Sequence, residues 1–357
     1  MTIKTRILVI SDTHGKPFNI RPEHKADVVI YCGDLTNESK LAEYHRILQF
    51  LTNLDAPLKL VITGNHDFTL DSVAFERKVN ESTELLGPEL VRREYGDYGE
   101  VRRLFDTAPG ITFLDEGTHQ FNLHNGALMT VYASPYTPST GGGVFQYHPD
   151  NGHQFSIEKY TDIVITHGPP RGIMDRRYHG RVGCTDLFAA VARARPQLHC
   201  FGHVHEDWGA KLIAWRHRFA DPPDHFNPVD NDRSTVIDTL RRVTQMKSDT
   251  PQAAFAKLYR AGQHTQQGYC MTSCCYEDCG DVERGTHTLF VNAALEGVRD
   301  SFPMHPPWIV DIDLPSPHER GHRKGNFDPA ETTLPLMSEN YAYNCRTHES
   351  AANYSLS

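Results

Sequence analysis

The sequence predicts an α/β fold in which sheets and helices form layers. From residue 6 to about residue 209, apolar runs of strand length alternate with stretches of helical periodicity. Five of these runs end in a turn that combines Gly with Asp, Asn or His, and α/β proteins place functional groups at such strand ends. The chain has 357 residues, 39% of them hydrophobic, so it can bury a substantial core.

The predicted elements follow one another in a regular order. The run ILVI is the first strand, and VVIYC, the helix LAEYHRILQFL and the strand LKLVIT come next. LMTVYAS, DIVIT and LHCF are later strands, with the helix TDLFAAVARAR before the last of them. HTLFVNAAL and PPWIVDIDL are rich in β-branched and aromatic residues, which predicts two late strands that close the sheet.

The change of pattern along the chain predicts four segments. Residues 1–213 form a core and residues 214–285 an insertion, in which DTLRRVTQ predicts a short helix. Residues 286–315 return to the core as its closing strands. Residues 316–357 lose apolar periodicity, and we expect a disordered tail there.

The insertion carries four cysteines spaced C-x3-C-C-x3-C, at Cys270, Cys274, Cys275 and Cys279. On a helix this spacing would place Cys270 and Cys274 on one face, where a structural zinc site is conceivable. The spacing differs from the paired CxxC of zinc ribbons, however, so free thiols or adventitious disulfides are the favoured interpretation.

Composition narrows the location and the partners. A net charge of -9 and a pI near 6.1 argue against a nucleic-acid partner, because nucleic-acid binding requires a basic surface. The first apolar run is four residues long, which is too short for a secretory or membrane segment. Cys32, Cys184 and Cys200 occupy positions typical of buried thiols, so we expect a cytoplasmic protein. The sequence gives no oligomeric state.

Potential metal ligands follow the predicted strands in a fixed order. They lie in the motifs SDTH, GDLT, GNHD, THGPP and GHVH, and are Asp12, His14, Asp34, Asn65, His167, His203 and His205. Since the chain has 21 histidines, one such motif alone would be weak evidence, but five in one order predict a metal centre. Imidazole, carboxylate and amide ligands without thiolate favour Mn, Fe, Zn or Co.

The ligand set suits two divalent ions about 3.5–4 Å apart. Asp34 is the predicted bridge, because a carboxylate can bind one ion through each oxygen. One ion would also take Asp12, His14 and His205, and the other would take Asn65, His167 and His203. In an extended GHVH segment alternate side chains point the same way, so both of its histidines could reach the cleft. The glycines of the motifs would let the backbone approach the metals closely.

Other residues near these motifs are candidates for supporting roles. His66 would lie beside the ions and act on the phosphate, as a general acid or as a positive charge. Asp67 and Asn37 are candidates to orient imidazoles. Arg176 and Arg177, just after THGPP, could bind phosphate, although loop arginines are more often solvated.

The set D-x-H, GD, GNH, H and GHxH resembles the calcineurin-like metallophosphoesterase superfamily. That resemblance implies a four-layer αββα sandwich, here with an insertion before the last strands. YASPYTP, THGPP and RVGCTDLFAAVARARPQLHCFGHVHEDWG are similar to the metallophosphoesterase-domain-containing (MPPED-type) phosphodiesterases, over residues 6–209 and 287–315. The resemblance assigns the same seven residues to two metal ions and makes His66 the catalytic histidine.

The implied activity is that of a dinuclear metallophosphoesterase with manganese among its candidate metals. A hydroxide that bridges the ions at Asp34 would attack phosphorus in line, and His66 would assist the leaving oxygen, so both residues count as catalytic. The implied substrate is a small phosphate ester or nucleotide, with cyclic nucleotides favoured.

Alternatives to a phosphodiesterase stay open. One is a nucleotide-binding regulator with vestigial hydrolysis, against which the intact His203 argues, since some members of this branch lack that histidine. Another is a phosphomonoesterase or a protein phosphatase, although LTNES after Asp34 differs from the Asp-Arg-Gly of protein phosphatases. A nuclease would call for a basic groove.

Overall fold

The strands and helices were located in a computed structural model that describes residues 2–82, 87–141, 143–279, 284–299 and 302–317. The tail expected over residues 316–357 lies outside the described residues from position 318 onward. The first strands are β1 Thr2–Ile10, β2 Val28–Cys32, β3 Leu58–Ile62, β4 Ile111–Phe113, β5 Gly117–Asn122, β6 Leu128–Ser134, β7 Thr137–Pro138, β8 Gln146–Tyr147 and β9 Ile163–Thr166. The later strands are β10 Arg176–Arg177, β11 Gly180–Arg181, β12 Leu198–Phe201, β13 Gly209–Trp215, β14 Val229–Thr239, β15 Cys270–Ser273, β16 His287–Asn292, β17 Glu296–Arg299, β18 Phe302–Met304 and β19 Trp308–Pro315. The helices are α1 Leu41–Thr52, α2 Ser72–Ser82, α3 Pro88–Tyr95, α4 Glu100–Thr107, α5 Thr185–Ala194, α6 Leu240–Val243, α7 Pro251–Gln267 and α8 Tyr276–Cys279.

The first sheet has the strand order β15-β19-β1-β2-β3-β4. β1 to β4 run parallel to one another, and β19 is antiparallel to β1 over almost its whole length. The β2 sequence VVIYC is buried at every position, as expected for a central parallel strand that is covered on both faces. The strands that precede the SDTH, GDLT and GNHD motifs are therefore neighbours.

The second sheet has the strand order β14-β13-β16-β12-β9-β6-β5. β6, β9, β12 and β16 are parallel, whereas β5, β13 and β14 are antiparallel to their neighbours. The strands that precede THGPP and GHVH are β9 and β12, and they pair directly with each other.

The two sheets pack face to face, with helices on their outer faces. One apolar core contains Val9 of β1 and Ile165 of β9, and so lies between the sheets. A second core joins the first sheet to α1 and α4 through residues such as Tyr44. A third joins the second sheet to α5 through residues such as Phe188. This arrangement confirms the layered α/β sandwich.

Residues 214–285 contribute to both sheets. β14 forms one edge of the second sheet and β15 one edge of the first, and the 17-residue helix α7 lies between them in sequence. The helix expected over DTLRRVTQ covers only half of that stretch, because Asp238 and Thr239 continue β14 by pairing with Ala210 and Gly209. Only Leu240–Val243 is helical there.

The two late strands separate instead of closing one sheet. β16 pairs with β12 in the second sheet, and β19 pairs with β1 in the first. Between them, a bridge of Ser11 to Ala294 links the ends of β1 and β16. Both strands therefore lie next to a strand that carries candidate ligands.

Among the helices of the described residues, none has the length and apolar character needed to cross a membrane.

Candidate metal centre

The candidate ligands lie in the turns that follow β1, β2, β3, β9 and β12. Four of them adopt left-handed backbone conformations, with φ of 50° at Asp12, 46° at His14, 52° at Asp34 and 64° at His203. Residues other than glycine rarely adopt this region, and such strain is concentrated at functional sites. Backbone hydrogen bonds from Asp12 N to Gly33 O (3.0 Å) and from His14 N to Asp34 O (3.2 Å) hold two of these turns together.

Glycines in the same turns let the backbone pack directly against the ligands. A Cβ atom on Gly202 would collide with the carboxylate of Asp12, and one on Gly64 would collide with the carboxylate of Asp34. Glycine is thus required here for close approach. The glycines of the motifs thus allow close approach of the backbone, as expected, and what the backbone approaches is the side chain of a candidate ligand.

Asp12, His14 and His205 form the first group of potential ligands. One donor atom from each lies within 4.8 Å of the others. His205 Nε2 is 3.3 Å from Asp12 Oδ1 and 3.4 Å from His14 Nε2. The backbone also ties this group to the turn after β12, because His203 N donates to Asp12 Oδ1 and Oδ2 at 3.0 Å.

Asp34, His167 and His203 form a second group, with Asn65 beside it. His167 Nδ1 donates to the Cys32 carbonyl at 2.9 Å, which directs Nε2 into the site. That nitrogen is 3.0 Å from Asn65 Oδ1, 3.2 Å from His203 Nδ1 and 3.3 Å from Asp34 Oδ2.

The surroundings of His167 Nε2 test whether these residues suit a cation. A ring nitrogen carries at most one proton, so it can donate to only one of the two oxygens beside it, Asn65 Oδ1 and Asp34 Oδ2. The other oxygen is left without that hydrogen bond. A divalent ion removes this conflict because it accepts from all of them, and imidazole, amide and carboxylate are ligands for Mn, Fe, Zn or Co. The residues therefore fit the metal that the sequence predicts.

Asp34 lies within reach of potential ligands on both sides of the candidate centre. It shares one group with His167 and His203 and another with His14 and His66. Its Oδ2 atom is 3.3 Å from His167 Nε2 and 3.8 Å from His14 Nε2. Its Oδ1 atom accepts a hydrogen bond from His66 N at 2.9 Å, which fixes the carboxylate in the cleft. This is the position that a bridging ligand requires.

His66 lies at the rim of this centre. Its ring centroid is 4.7 Å from that of His14, and the two rings are close to perpendicular. Nδ1 donates to the Asn37 carbonyl at 2.9 Å, so Nε2 is the nitrogen left for a substrate. Asn37 therefore orients an imidazole, as expected, but through its backbone oxygen.

Electrostatics keeps the carboxylates charged in a buried place. Burial would raise the pKa of Asp12, but the hydrogen bond and charge of His205 outweigh burial and lower that pKa. Burial likewise opposes charge on Asp34, but His167 and His14 hold its pKa well below the usual value. Charged carboxylates are the form that binds metal ions.

The two histidines of the second group are shifted in opposite directions. Burial would lower the pKa of His167, but Asp34 and Asp12 raise it to about 9. Burial and the nearby His167 lower the pKa of His203 to about 3. His203 is thus neutral at physiological pH, the form that can bind a metal ion, whereas His167 would have to release a proton to do so.

Two sequence-based expectations need correction. The GHVH segment is not extended: β12 ends at Phe201, His203 is left-handed, and a short 3-10 helix covers His205–Asp207. Both histidines reach the cleft because the backbone turns between them. Among the described residues, no imidazole donates to the carboxylate of Asp67. It accepts from Leu35 N, Thr36 N and Gly64 N and so holds together the loops that follow β2 and β3.

One acidic residue of this cleft, Glu296, carries no signal in the sequence. Glu296 Oε2 is 3.5 Å from His14 Nε2, and Lys16 Nζ holds its Oε1 at 2.7 Å. Its position depends on backbone contacts between the sheets, since Glu296 N donates to Asp12 O at 3.0 Å. Arg177 also lines the cleft, and its guanidinium donates to the His203 carbonyl at 2.8 Å.

The cysteine segment is not a single helix. Cys270 lies in β15 and Cys279 at the end of α8, with Cys274 and Cys275 between them. Within the part of the chain that the structure describes, no group of potential metal ligands contains a cysteine. These four cysteines are free thiols, one of the two alternatives favoured from the sequence.

Two facing sheets with potential metal ligands at the carboxyl ends of their strands define a class of α/β metalloproteins. Residues 5–207 match the profile of the Calcineurin-like phosphoesterase family. The chain belongs to this family, which confirms the resemblance seen in its motifs.

Three relatives place the chain more closely. It is 32% identical over 213 residues to "Probable rhamnogalacturonate lyase C" of Emericella nidulans, a match that covers 59% of this chain and 18% of that protein. It is 30% identical over 214 residues to Metallophosphoesterase domain-containing protein 1 of Homo sapiens, a match that covers 57% of this chain and 62% of that protein. It is also 30% identical to UPF0046 protein K07C11.7 of Caenorhabditis elegans, over 57% of this chain and 64% of that protein. The chain thus spans less than two thirds of each relative.

Among solved structures, TT1561 of Thermus thermophilus is similar with a TM-score of 0.34 and 13% identity. The match covers 56% of this chain and 82% of that one.

Proposed function

We propose that this protein is a metal-dependent phosphodiesterase that hydrolyses small phosphodiesters, cyclic nucleotides among them. The position of Asp34 between two groups of ligands carries the proposal, because a shared carboxylate is what holds two divalent ions together in phosphoester hydrolases. Membership of the Calcineurin-like phosphoesterase family supports it. Manganese is among the metals that this ligand set suits.

Metal ions bound here would neutralise phosphate charge and lower the pKa of a coordinated water molecule. The residues of the chain supply the other parts of the reaction. Hydrolysis forms a bond from phosphorus to a water oxygen, breaks the ester bond and delivers a proton to the leaving oxygen. We assign the delivery of that proton to His66 Nε2, and the hydrogen bond from Nδ1 to Asn37 O supports this choice of nitrogen.

Arg177 is the proposed ligand for a non-bridging phosphate oxygen. It lines the cleft beside His203, whose carbonyl fixes one end of the guanidinium at 2.8 Å. The carboxylate of Glu206 lies at 3.9 Å from Nε, so the guanidinium keeps hydrogen-bonding capacity for an anion.

We also propose a cytoplasmic location and a small phosphate ester or nucleotide as the partner. The cysteines of the described residues are all free, which suits a reducing compartment. The cleft around the candidate ligands has a volume of about 500 Å³, which is typical of small-molecule sites.

The decisive experiment measures hydrolysis of bis-p-nitrophenyl phosphate with and without Mn²⁺. We expect metal-dependent release of p-nitrophenol by the native chain and a loss of at least about 100-fold in His203→Ala, since a metal ligand is removed. His45→Ala, at an exposed histidine of α1, is the matched control and should keep native activity. Native activity no higher than that of His203→Ala would refute the proposal.

A further inference from the structure

A second cavity adjoins the metal cleft. The cleft has a volume of about 500 Å³ and the neighbouring cavity about 520 Å³. Arg177, Glu206 and Val298 line both, so the two spaces share a wall. A substrate bound at the metal centre could therefore extend into the second cavity.

Three arginines line this second cavity: Arg176, Arg177 and Arg241. Two acids share this lining with the three arginines: Glu206 lies 3.9 Å from Arg177 Nε, and Asp207 accepts a hydrogen bond from Arg176 N at 2.9 Å. Within the described residues, the side chains of Arg176 and Arg241 form no hydrogen bond or ion pair that would satisfy their guanidinium groups. Their donors are thus available to an anion in a concave site.

The rest of the lining is suited to an organic group. Leu240, Met246 and Val298 contribute apolar surface, and Tyr178 stands at the turn of the β10–β11 hairpin. Small-molecule sites combine such apolar walls with a few polar groups that fix orientation. The cavity therefore suits an organic body that ends in a negative charge.

The wall that carries Arg241 comes from residues 240–246, which follow β14. The family match ends at residue 207, so this wall is contributed by the chain outside the matched region. Its position is set by the pairing of Asp238 and Thr239 with β13, which brings α6 to the side of the metal cleft. Residues 214–285 thus add a feature to the metal cleft that the family match does not cover.

We propose that this cavity binds a second anionic group of the substrate, so that phosphodiesters with an additional phosphate or carboxylate are preferred. Arg241 and Arg176 contact that group, while the scissile phosphate lies at the metal centre. This proposal rests on the proposed phosphodiesterase function for the position of the scissile group. Residues 240–246 would then determine which phosphodiesters bind best.

Binding of two nucleotides that differ by one phosphate tests the cavity directly. Thymidine 5′-phosphate and thymidine 3′,5′-bisphosphate are titrated calorimetrically into the Mn²⁺-loaded native chain and into Arg241→Ala. We expect the native chain to prefer the bisphosphate by about tenfold, equivalent to about 1.4 kcal/mol, and Arg241→Ala to reduce that preference to about twofold or less.

Arg233→Ala is the matched control, because Arg233 is exposed on β14 and outside the cavity. It should keep the native preference. Equal affinity of the native chain for the two nucleotides, or an unchanged preference in Arg241→Ala, would overturn the proposal.

Hydrolysis of the p-nitrophenyl esters of the same two nucleotides separates this proposal from the proposed function. We expect Arg241→Ala to raise KM for the ester with the extra 3′-phosphate about tenfold and to change kcat/KM for the other ester less than about twofold. If neither ester is hydrolysed, the proposed function fails, and the binding preference still decides whether the cavity selects a second anion.

Discussion

The metal centre and the cysteine segment 270–279 both gather residues that can bind metals, yet their geometry differs. At the metal centre, ring nitrogens and carboxylate oxygens converge on Asp34 from turns at the ends of strands. In the cysteine segment, Cys270 and Cys274 belong to the core between the sheets. Burial raises the pKa of Cys274 to about 12 and that of Cys275 to about 11, so these thiols stay protonated.

The difference teaches that spacing alone does not make a site. A cysteine must be a thiolate to bind zinc, and a buried protonated thiol behaves as a small apolar side chain. The candidate ligands, in contrast, are held in strained turns where acceptors face acceptors, an arrangement that a cation relieves. Four predictions test this contrast, from the largest expected effect to the smallest.

Replacing the shared carboxylate should have the largest effect. Asp34→Asn removes the negative charge and one of the oxygens that face both ligand groups, so we expect the metal content to fall from two ions per chain to none. Elemental analysis after gel filtration measures this. Asp175→Asn alters another buried aspartate outside the ligand groups and should retain both ions. Two ions in Asp34→Asn would contradict the bridging position.

A buried histidine outside the centre, His199, should make the free energy of unfolding depend on pH. His199 is buried in β12, and burial lowers its pKa to about 3. Between about pH 6.5 and that value, the unfolded chain takes up a proton that the folded chain does not. Protonation of His199 in the unfolded chain should therefore lower the free energy of unfolding by about 1.4 kcal/mol for each unit by which the pH falls in this range.

His199→Gln should remove that component, while Gln keeps a donor for Thr166 Oγ1, which lies 2.9 Å from His199 Nε2. Denaturant unfolding in the presence of a chelator, at several pH values from about 6.5 down to about 4.5, gives the difference between the two curves. His45→Gln, at an exposed position, should follow the native curve. Parallel native and His199→Gln curves would exclude the proposed linkage.

Glu296 should affect one half of the metal centre more than the other. Its carboxylate faces His14 at 3.5 Å and His205 Nδ1 at 4.0 Å. Glu296→Gln should weaken binding of the ion at the first ligand group about tenfold and leave binding at the second group nearly unchanged. Loss of a residue that contacts a metal ligand has an effect of this size at other metal sites. Calorimetric Mn²⁺ titration resolves the two steps, and equal weakening of both would argue against this placement.

Substitution of the cysteines in segment 270–279 should not change the metal content of the protein. Cys270→Ser with Cys274→Ser should leave the zinc and manganese content of the purified chain unchanged, since buried protonated thiols bind neither ion. The free energy of unfolding should fall by about 1–3 kcal/mol, because hydroxyl groups would replace thiols in an apolar core. Loss of one zinc ion per chain in this variant would restore the zinc interpretation.

The sequence was sufficient to predict the candidate ligands because each follows a buried strand. The apolar runs locate the strands, and parallel strands bring their carboxyl ends to one edge. The structure accordingly brings Asp12, Asp34, Asn65, His167 and His203 to one cleft. Their roles as ligands and the catalytic role of His66 remain predictions.

The sequence was insufficient where position depends on distant pairing. Glu296 reaches the centre through the contact between the ends of β1 and β16, which no local pattern encodes. β14 lies at a sheet edge with a largely exposed sequence, so it lacks the alternation of a half-buried strand. Helix α7 has no buried residue, and its apolar periodicity is correspondingly weak.

The antiparallel pairing of β1 with β19 has a consequence for synthesis of the chain. β1, whose end carries Asp12 and His14, pairs along its length with residues 308–315 and so keeps one unpaired edge until those residues leave the ribosome. Contacts between such distant parts form late, because closing a long loop is slow. The strand whose end carries the first two candidate ligands is therefore paired on both edges only after residues 308–315 have been made.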